Sequence, residues 1–196
     1  MMYPYNHKLG QKLQADAGVS LDRSFIAHFQ ILAADAVAQD LVSVMAATAL
    51  TDSTQEITAG LSSPAVPRSL RVKGNQAGVA GNVVVTGTNF ADEEITETFA
   101  LNGATAVEGT KAFKAITKVD LPVEVNAGTD TVSIGAGNKL GLPYMLSHNT
   151  VLFAFRDNTK EGNAPTVAAS SSALESNTIL LNSALNGTAI DVYLLV

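Results

Sequence analysis

Short runs of β-forming residues, each ended by Gly, Asn, Asp or Pro, fill the chain from Thr51 onward and limit what it can fold into. In residues 69–73, Leu70 and Val72 alternate with two basic residues, and residues 83–87 form a β-branched run. Alternation with a period of two places successive side chains on opposite faces of a strand. Strands about every eight to twelve residues, separated by tight turns, predict a mainly β fold, either a β-sandwich or a jelly-roll-like domain.

The first 24 residues differ from the rest, because they are polar and contain glycine. We predict an extended N-terminal arm over residues 1–24, with a frayed terminus as the alternative. Tyrosines suit contacts with a neighbouring molecule, since each buries a large area while keeping a polar tip. The candidate contact residues of this arm are Tyr3, Pro4, Tyr5, His7 and Lys8.

Residues 25–196 are predicted to form a single β-rich domain, of which residues 25–50 fit both a helical and an alternating pattern. For that ambiguous segment we expect a strand or short helix near 25–32, a turn or one helical turn near 34–40, and a strand near 41–48. At the other end, residues 177–182 and 190–196 predict a closing pair of strands around the turn dipeptide Asn186-Gly187.

Charge and composition argue against several classes of protein. The net charge is −6 and Lys and Arg are not clustered, whereas nucleic-acid binding needs basic residues that neutralise phosphates. The absence of Cys excludes disulfides and Cys-zinc sites. No apolar run is long enough for a membrane span, and the start lacks an apolar signal core, so we expect a protein made in the cytoplasm. Only 15% of residues are charged, which suits either packing against other subunits or merely a neutral polar surface.

The glycine-rich segment 135–141 looks superficially like a phosphate-binding loop. A P-loop needs Ser or Thr after its Lys and then a helix. Here Leu140 follows Lys139, and Pro143 comes before a helix could begin. We therefore predict a tight loop ahead of an extended segment.

The remaining polar residues do not assemble into a catalytic or metal-binding pattern. His7, His28 and His148 are scattered without a partner at ligand spacing, and His28 is predicted to be a half-buried packing residue. The acids Asp92-Glu93-Glu94 share one turn, which favours a solvated turn over a calcium site or a glycosidase pair. No Gly-x-Ser-x-Gly elbow occurs. We expect no enzyme activity, no cofactor and no metal.

Several phrases of the chain resemble a family of tailed-bacteriophage structural proteins that accompany the major capsid protein. The resemblance covers residues 50–196, with 150–176 the loosest part. The phrases are PAVPRSLRVKGN at 64–75, GNVVVTGTN at 81–89, ITETFALNG at 95–103, KAFKAITKVDLP at 111–122, IGAGNKLGLPY at 134–144 and NTILLNSALNGTAIDVYLLV at 177–196.

This resemblance implies a capsid decoration, or cement, protein on the outer capsid surface of the virion. Such a protein clamps capsomers of the major capsid protein without chemistry, and repeated contacts in a homo-oligomer strengthen the clamp by avidity. A trimer is favoured and a dimer is possible, with the arm of residues 1–24 wrapping a neighbour. The alternatives are a tail, baseplate or head-fibre component, or a carbohydrate-binding β-sandwich. The absence of Trp and the aromatic content of 6% count against the carbohydrate-binding alternative.

Overall fold

The protein is mainly β, and its computed structural model describes residues 13–14, 20–21 and 26–196. The strands are β1 (Leu13–Gln14), β2 (Ser20–Leu21), β3 (Ile26–Ile31), β4 (Met45–Ala49), β5 (Gln55–Ile57), β6 (Arg68–Gly74), β7 (Asn82–Thr88), β8 (Glu94–Ala100), β9 (Val107–Glu108), β10 (Ala115–Leu121), β11 (Thr131–Gly141), β12 (Val151–Arg156), β13 (Thr159–Lys160), β14 (Thr166–Ala168), β15 (Thr178–Leu180) and β16 (Ile190–Leu195). In the described part of the chain the one helical element is the 3-10 turn Leu174–Ser176, and no helix there is long enough to cross a membrane.

The strands form three antiparallel sheets, besides a small β1–β2 pair. The first sheet has the order β5-β10-β7-β8. The second sheet has the order β14-β15-β11-β6-β9, and β4 also pairs with β11. The third sheet has the order β13-β12-β16-β3. This confirms the predicted mainly β fold of sandwich type.

One hydrophobic core lies where side chains of the first and second sheets meet. The alternation predicted for β6 places Leu70 and Val72 in this core, and alternation along β8 places Ile95 and Phe99 there. Phe113, just before β10, is fully buried there and exchanges both backbone hydrogen bonds with Arg68.

A second core is built from the third sheet and the far end of the second. Its members include Leu140 at the end of β11, Ile179 of β15 and Val192 of β16, all fully buried. Strand β11 therefore serves both cores, because Val132 and Ile134 near its start belong to the first one. Its register against β6 shifts between Ala136 and Leu140, which marks a β-bulge where the strand passes from one core to the other.

The glycine-rich segment 135–141 is part of β11, so the predicted tight loop is wrong. Its glycines are needed for close approach of neighbouring chain segments. A side-chain carbon on Gly135 would lie 2.5 Å from the carbonyl carbon of Asp40, and one on Gly141 would lie 2.7 Å from the side chain of Ala112. A side-chain carbon on Gly137 would meet the Ser69 hydroxyl.

The two ends of the domain agree only in part with the sequence predictions. Strand β3, the turn after it and β4 match the predicted order of elements over residues 25–50, although β4 begins later than expected. The predicted closing pair is wrong, because β15 pairs with β11 and β14 while β16 pairs with β12 and β3. Asn186-Gly187 therefore lies in a connection between two sheets and does not form a hairpin turn.

Two buried polar side chains hold connections against the cores. Arg68 is 1% exposed and donates from Nε to the Gly137 carbonyl at 2.6 Å and from Nη1 to the Val37 carbonyl at 3.0 Å. Burial lowers the pKa of Arg68 to about 10, against a smaller opposing effect of nearby Asp40, so the guanidinium stays charged at neutral pH.

Asn177 is fully buried and accepts from the backbone N–H groups of Leu146 and Ser170.

Candidate functional site: the outer face of the third sheet

The outer face of the third sheet carries an exposed cluster of aromatic side chains. Alternation along β12 and β16 directs Ala154 and Val192 into the second core and leaves their neighbours on the opposite face. Phe153 is 46% exposed, and Phe155 and Tyr193 are half-buried. Strand pairing places Phe153 opposite Tyr193, so residues distant in sequence meet on one surface.

The rings of this face pack against one another in a fixed order. His28 on β3 stacks on Tyr193, with ring centroids 4.7 Å apart and planes 7° from parallel. Phe155 meets Tyr193 edge to face at 5.9 Å, and Phe153 lies 6.5 Å from Phe155. The Lys160 ammonium sits 4.8 Å from the Phe153 ring centroid, within the range of a cation–π interaction. Such mutual contacts restrict the rings and make the face a preformed surface.

Asp191 supplies the negative charge of this face. Its Oδ1 atom accepts hydrogen bonds from His28 Nε2 at 2.7 Å and from Gln30 Nε2 at 3.0 Å. Both partners lie on β3, which is paired with β16. The two bonds fix the carboxylate from one side, and within residues 26–196 its Oδ2 atom accepts no hydrogen bond.

A tight turn brings an amide to the rim of the same face. Asp157 and Asn158 connect β12 to β13 with φ values of 45° and 60°. Positive φ at both central residues is typical of a type I′ hairpin turn, in which Asn, Asp and Gly are the favoured residues. Asn158 thereby lines a cleft of about 370 Å³ together with four residues of the sheet: Phe153, Phe155, Asp191 and Tyr193.

The chemistry of this cleft suits binding. Its lining offers ring surfaces, the Tyr193 hydroxyl, one carboxylate and one amide. No group of three or more His, Cys, Asp or Glu side chains in the described part of the chain could hold a metal ion. A larger cleft of about 630 Å³, between residues 89–95 and 172–175, has no aromatic ring in its lining.

The residues singled out in the sequence lie in several different places. Tyr3, Pro4, Tyr5, His7 and Lys8 fall outside the described residues. The Asp92-Glu93-Glu94 turn is exposed, and Asp92 pairs with Lys114 at 2.7 Å. His148 lies in a turn where it contacts the Ser147 hydroxyl at 2.9 Å.

Among the singled-out residues that the structure describes, His28 is the one that lies in the aromatic cluster of the third sheet. It packs as expected, but its side chain is 45% exposed and lies on the outer face, paired with a carboxylate 163 residues away in sequence. The sequence reasoning missed the cluster itself. Two features of the sequence pointed toward it: the alternation of Phe153 and Phe155, and the turn dipeptide Asp157-Asn158. Neither feature shows that β16 is the strand that pairs with β12.

In comparisons with known proteins, no family model, no curated protein and no solved structure matches this chain.

Proposed function

We propose that this protein is a structural component of a tailed-phage virion, specifically a decoration or cement protein on the outer capsid surface. In this proposal it binds the major capsid protein and clamps capsomers by non-covalent contacts, without catalysis. The motif resemblance over residues 50–196 and the sparsely charged surface support the proposal.

The observation that carries the proposal is the distribution of exposed apolar side chains. Four of the nine large hydrophobic side chains that are exposed within residues 26–196 fall between residues 26 and 42. They are Ile26, Leu32, Val37 and Val42. These four residues, which we call the apolar N-terminal segment, directly follow the proposed arm of residues 1–24. Four exposed apolar side chains within one short stretch of the chain suit a contact with another protein.

The backbone of this segment is held against the domain. The Asp40 N–H donates to the Ala136 carbonyl of β11 at 3.0 Å, and Gly187 N–H donates to the Ala36 carbonyl at 2.8 Å. The Val37 carbonyl accepts from Arg68. A segment fixed at several points presents its side chains with less ordering cost on binding, which suits a contact with a rigid shell.

The proposed assembly is a homo-oligomer, with a trimer favoured and a dimer possible. Oligomerisation about a symmetry axis repeats the contact of one segment, and avidity then strengthens contacts that are weak singly. The arm of residues 1–24 would add contacts with a neighbouring subunit.

The test is occupancy on purified capsids that lack the protein. We expect deletion of residues 2–24, and separately the triple change L32S/V37S/V42S, to reduce bound copies sharply. The deletion removes the proposed tyrosine contacts of the arm, and the triple change removes apolar contact area. The matched control is V123S/V125S, which alters two exposed valines far along the chain. Unchanged occupancy of both variants would refute the capsid proposal for these surfaces.

A tail, baseplate or head-fibre role is the alternative within the same class. Cryo-electron microscopy of the virion separates the two, since cement density repeats over the capsid surface and tail density does not.

A carbohydrate-binding module is the second candidate function, favoured by the cluster of Phe153, Phe155 and Tyr193 on one exposed face.

A further inference from the structure

We infer that the cleft on the outer face of the third sheet binds a hexopyranose unit of a neutral polysaccharide. The inference deepens the carbohydrate-binding candidate and does not depend on the virion role. It rests on the placement of aromatic rings, a carboxylate and a turn amide around one concavity.

The ring surfaces match the apolar side of a pyranose. One face of a hexopyranose presents C–H groups, and these are attracted to the negative face of an aromatic ring. Phe153 is the most exposed ring of the cleft, while Phe155 and Tyr193 are held by their edge-to-face contact at 5.9 Å. The sugar would contact Phe153 first and use the other two rings as walls.

The polar groups match the hydroxyls at the rim of the sugar. Asp191 is 15% exposed, and its Oδ1 is occupied by His28 and Gln30 while Oδ2 accepts no hydrogen bond within residues 26–196. An ionised carboxylate oxygen accepts from a sugar O–H and forms a charge-assisted bond. The Asn158 amide can both donate and accept, so one vicinal diol could bridge the two residues.

The charge of the cleft selects against acidic sugars. Asp191 is the charged residue of the lining, and the protein as a whole carries a net charge of −6. The Lys160 ammonium lies over the Phe153 ring but is not among the residues that line the cleft. A uronate or sialate carboxylate beside Asp191 would meet like-charge repulsion in a partly desolvated site. The inferred ligand is therefore neutral.

The turn at Asn158 allows a clean test of the side chain. Its φ of 60° lies in the left-handed region, where glycine is the easiest residue to place. Asn158→Gly therefore keeps the type I′ turn and removes only the amide.

The experiment is affinity electrophoresis of the purified full chain in native gels that contain one polysaccharide each. The neutral probes are hydroxyethyl cellulose, galactomannan and mixed-linkage β-glucan, and the anionic probes are alginate and hyaluronan. We expect retardation by at least one neutral probe and none by the anionic ones. Phe153→Ala and Asp191→Ala should each raise the dissociation constant about tenfold, and Asn158→Gly about threefold, the size of one lost contact.

The matched control is Val125→Ala, which truncates an exposed apolar side chain outside the third sheet and should leave retardation unchanged. Circular dichroism of each variant checks that the fold is kept. Absence of retardation by all neutral probes would overturn the inference, as would equal retardation of wild type and Phe153→Ala. A lower molar mass of Phe153→Ala in light scattering, without polysaccharide binding, would assign this face to a second copy of the chain. None of these outcomes bears on capsid occupancy, so the two proposals fail separately.

Discussion

Gly135→Ala tests whether the glycines of β11 exist to let the connection between β3 and β4 lie against the sheet. An alanine Cβ at this position would lie 2.5 Å from both the carbonyl carbon and the carbonyl oxygen of Asp40. Carbon atoms in contact are ordinarily about 3.5–4.0 Å apart, so the connection must move by about 1 Å or more. The Asp40 carboxylate is also in contact and could rotate aside, but the backbone carbonyl of Asp40 cannot.

The expected cost has two parts. Overpacking of a well-packed site costs about 1–3 kcal/mol. Movement of Asp40 also loosens its Oδ1 contacts with the N–H groups of Val42 at 2.7 Å and Ser43 at 2.6 Å, each worth about 1 kcal/mol. Together these predict a loss of about 2–4 kcal/mol in the free energy of unfolding.

The assay is thermal and urea unfolding followed by circular dichroism. For a chain of this size, the predicted loss lowers Tm by about 5–15 °C. The control is Gly162→Ala, because a Cβ there meets nothing within 4 Å and its φ is not in the left-handed region. We expect Gly162→Ala to stay within about 0.5 kcal/mol of wild type. Equal stability of the two variants would refute the close-approach explanation.

Three further predictions concern buried polar groups. Asn177→Ala should destabilise the protein by about 3 kcal/mol or more in urea unfolding, since it leaves buried backbone N–H and C=O groups unpaired. Arg68→Lys should cost about 1–3 kcal/mol, because an ammonium cannot reproduce the forked contacts to two carbonyls, and a stability equal to wild type would contradict this. Burial alone would raise the pKa of Asp130, but hydrogen bonds from Asn126, Gln76 and Val125 outweigh it and hold that pKa well below its usual range. The carboxylate therefore stabilises the fold above its unfolded pKa of about 3.9, and this contribution is lost as pH falls toward the folded value. Tm of wild type should then fall more steeply below pH 4 than Tm of Asp130→Asn, and parallel curves would count against it.

Local patterns in the sequence predicted individual strands well. The alternation in β6 identified which of its side chains are buried, because a strand with one face on a core repeats every two residues. The dipeptide Asn102-Gly103 is a turn signal of the same local kind, and Gly103 has a φ of 56°. Both features are set by residues adjacent in the chain, so no knowledge of the rest of the fold is needed.

Pairing between distant strands could not be predicted in the same way. Strands β15 and β16 are adjacent in sequence and separated by a turn dipeptide, which favours a hairpin. In the structure each pairs elsewhere, because their apolar residues fill the second core from opposite sheets. The segment 135–141 was misjudged for a related reason. Glycines in a sequence indicate conformational freedom. Here the glycines of β11 instead leave space for Asp40, Ser69 and Ala112. Those three residues are distant in sequence, so no local pattern shows that they lie against β11.

The aromatic face shows why composition is a weak argument about binding. The chain has seven Phe, four Tyr and no Trp, and this scarcity counted against sugar binding. What a ligand meets, however, is the local density of exposed rings. The pairing of β12 with β16 gathers Phe153, Phe155 and Tyr193 within one cleft, while Phe99 and Phe113 are buried in the first core. Since only accessible ring surface can stack on a ligand, an average over the chain does not show how many rings one face gathers.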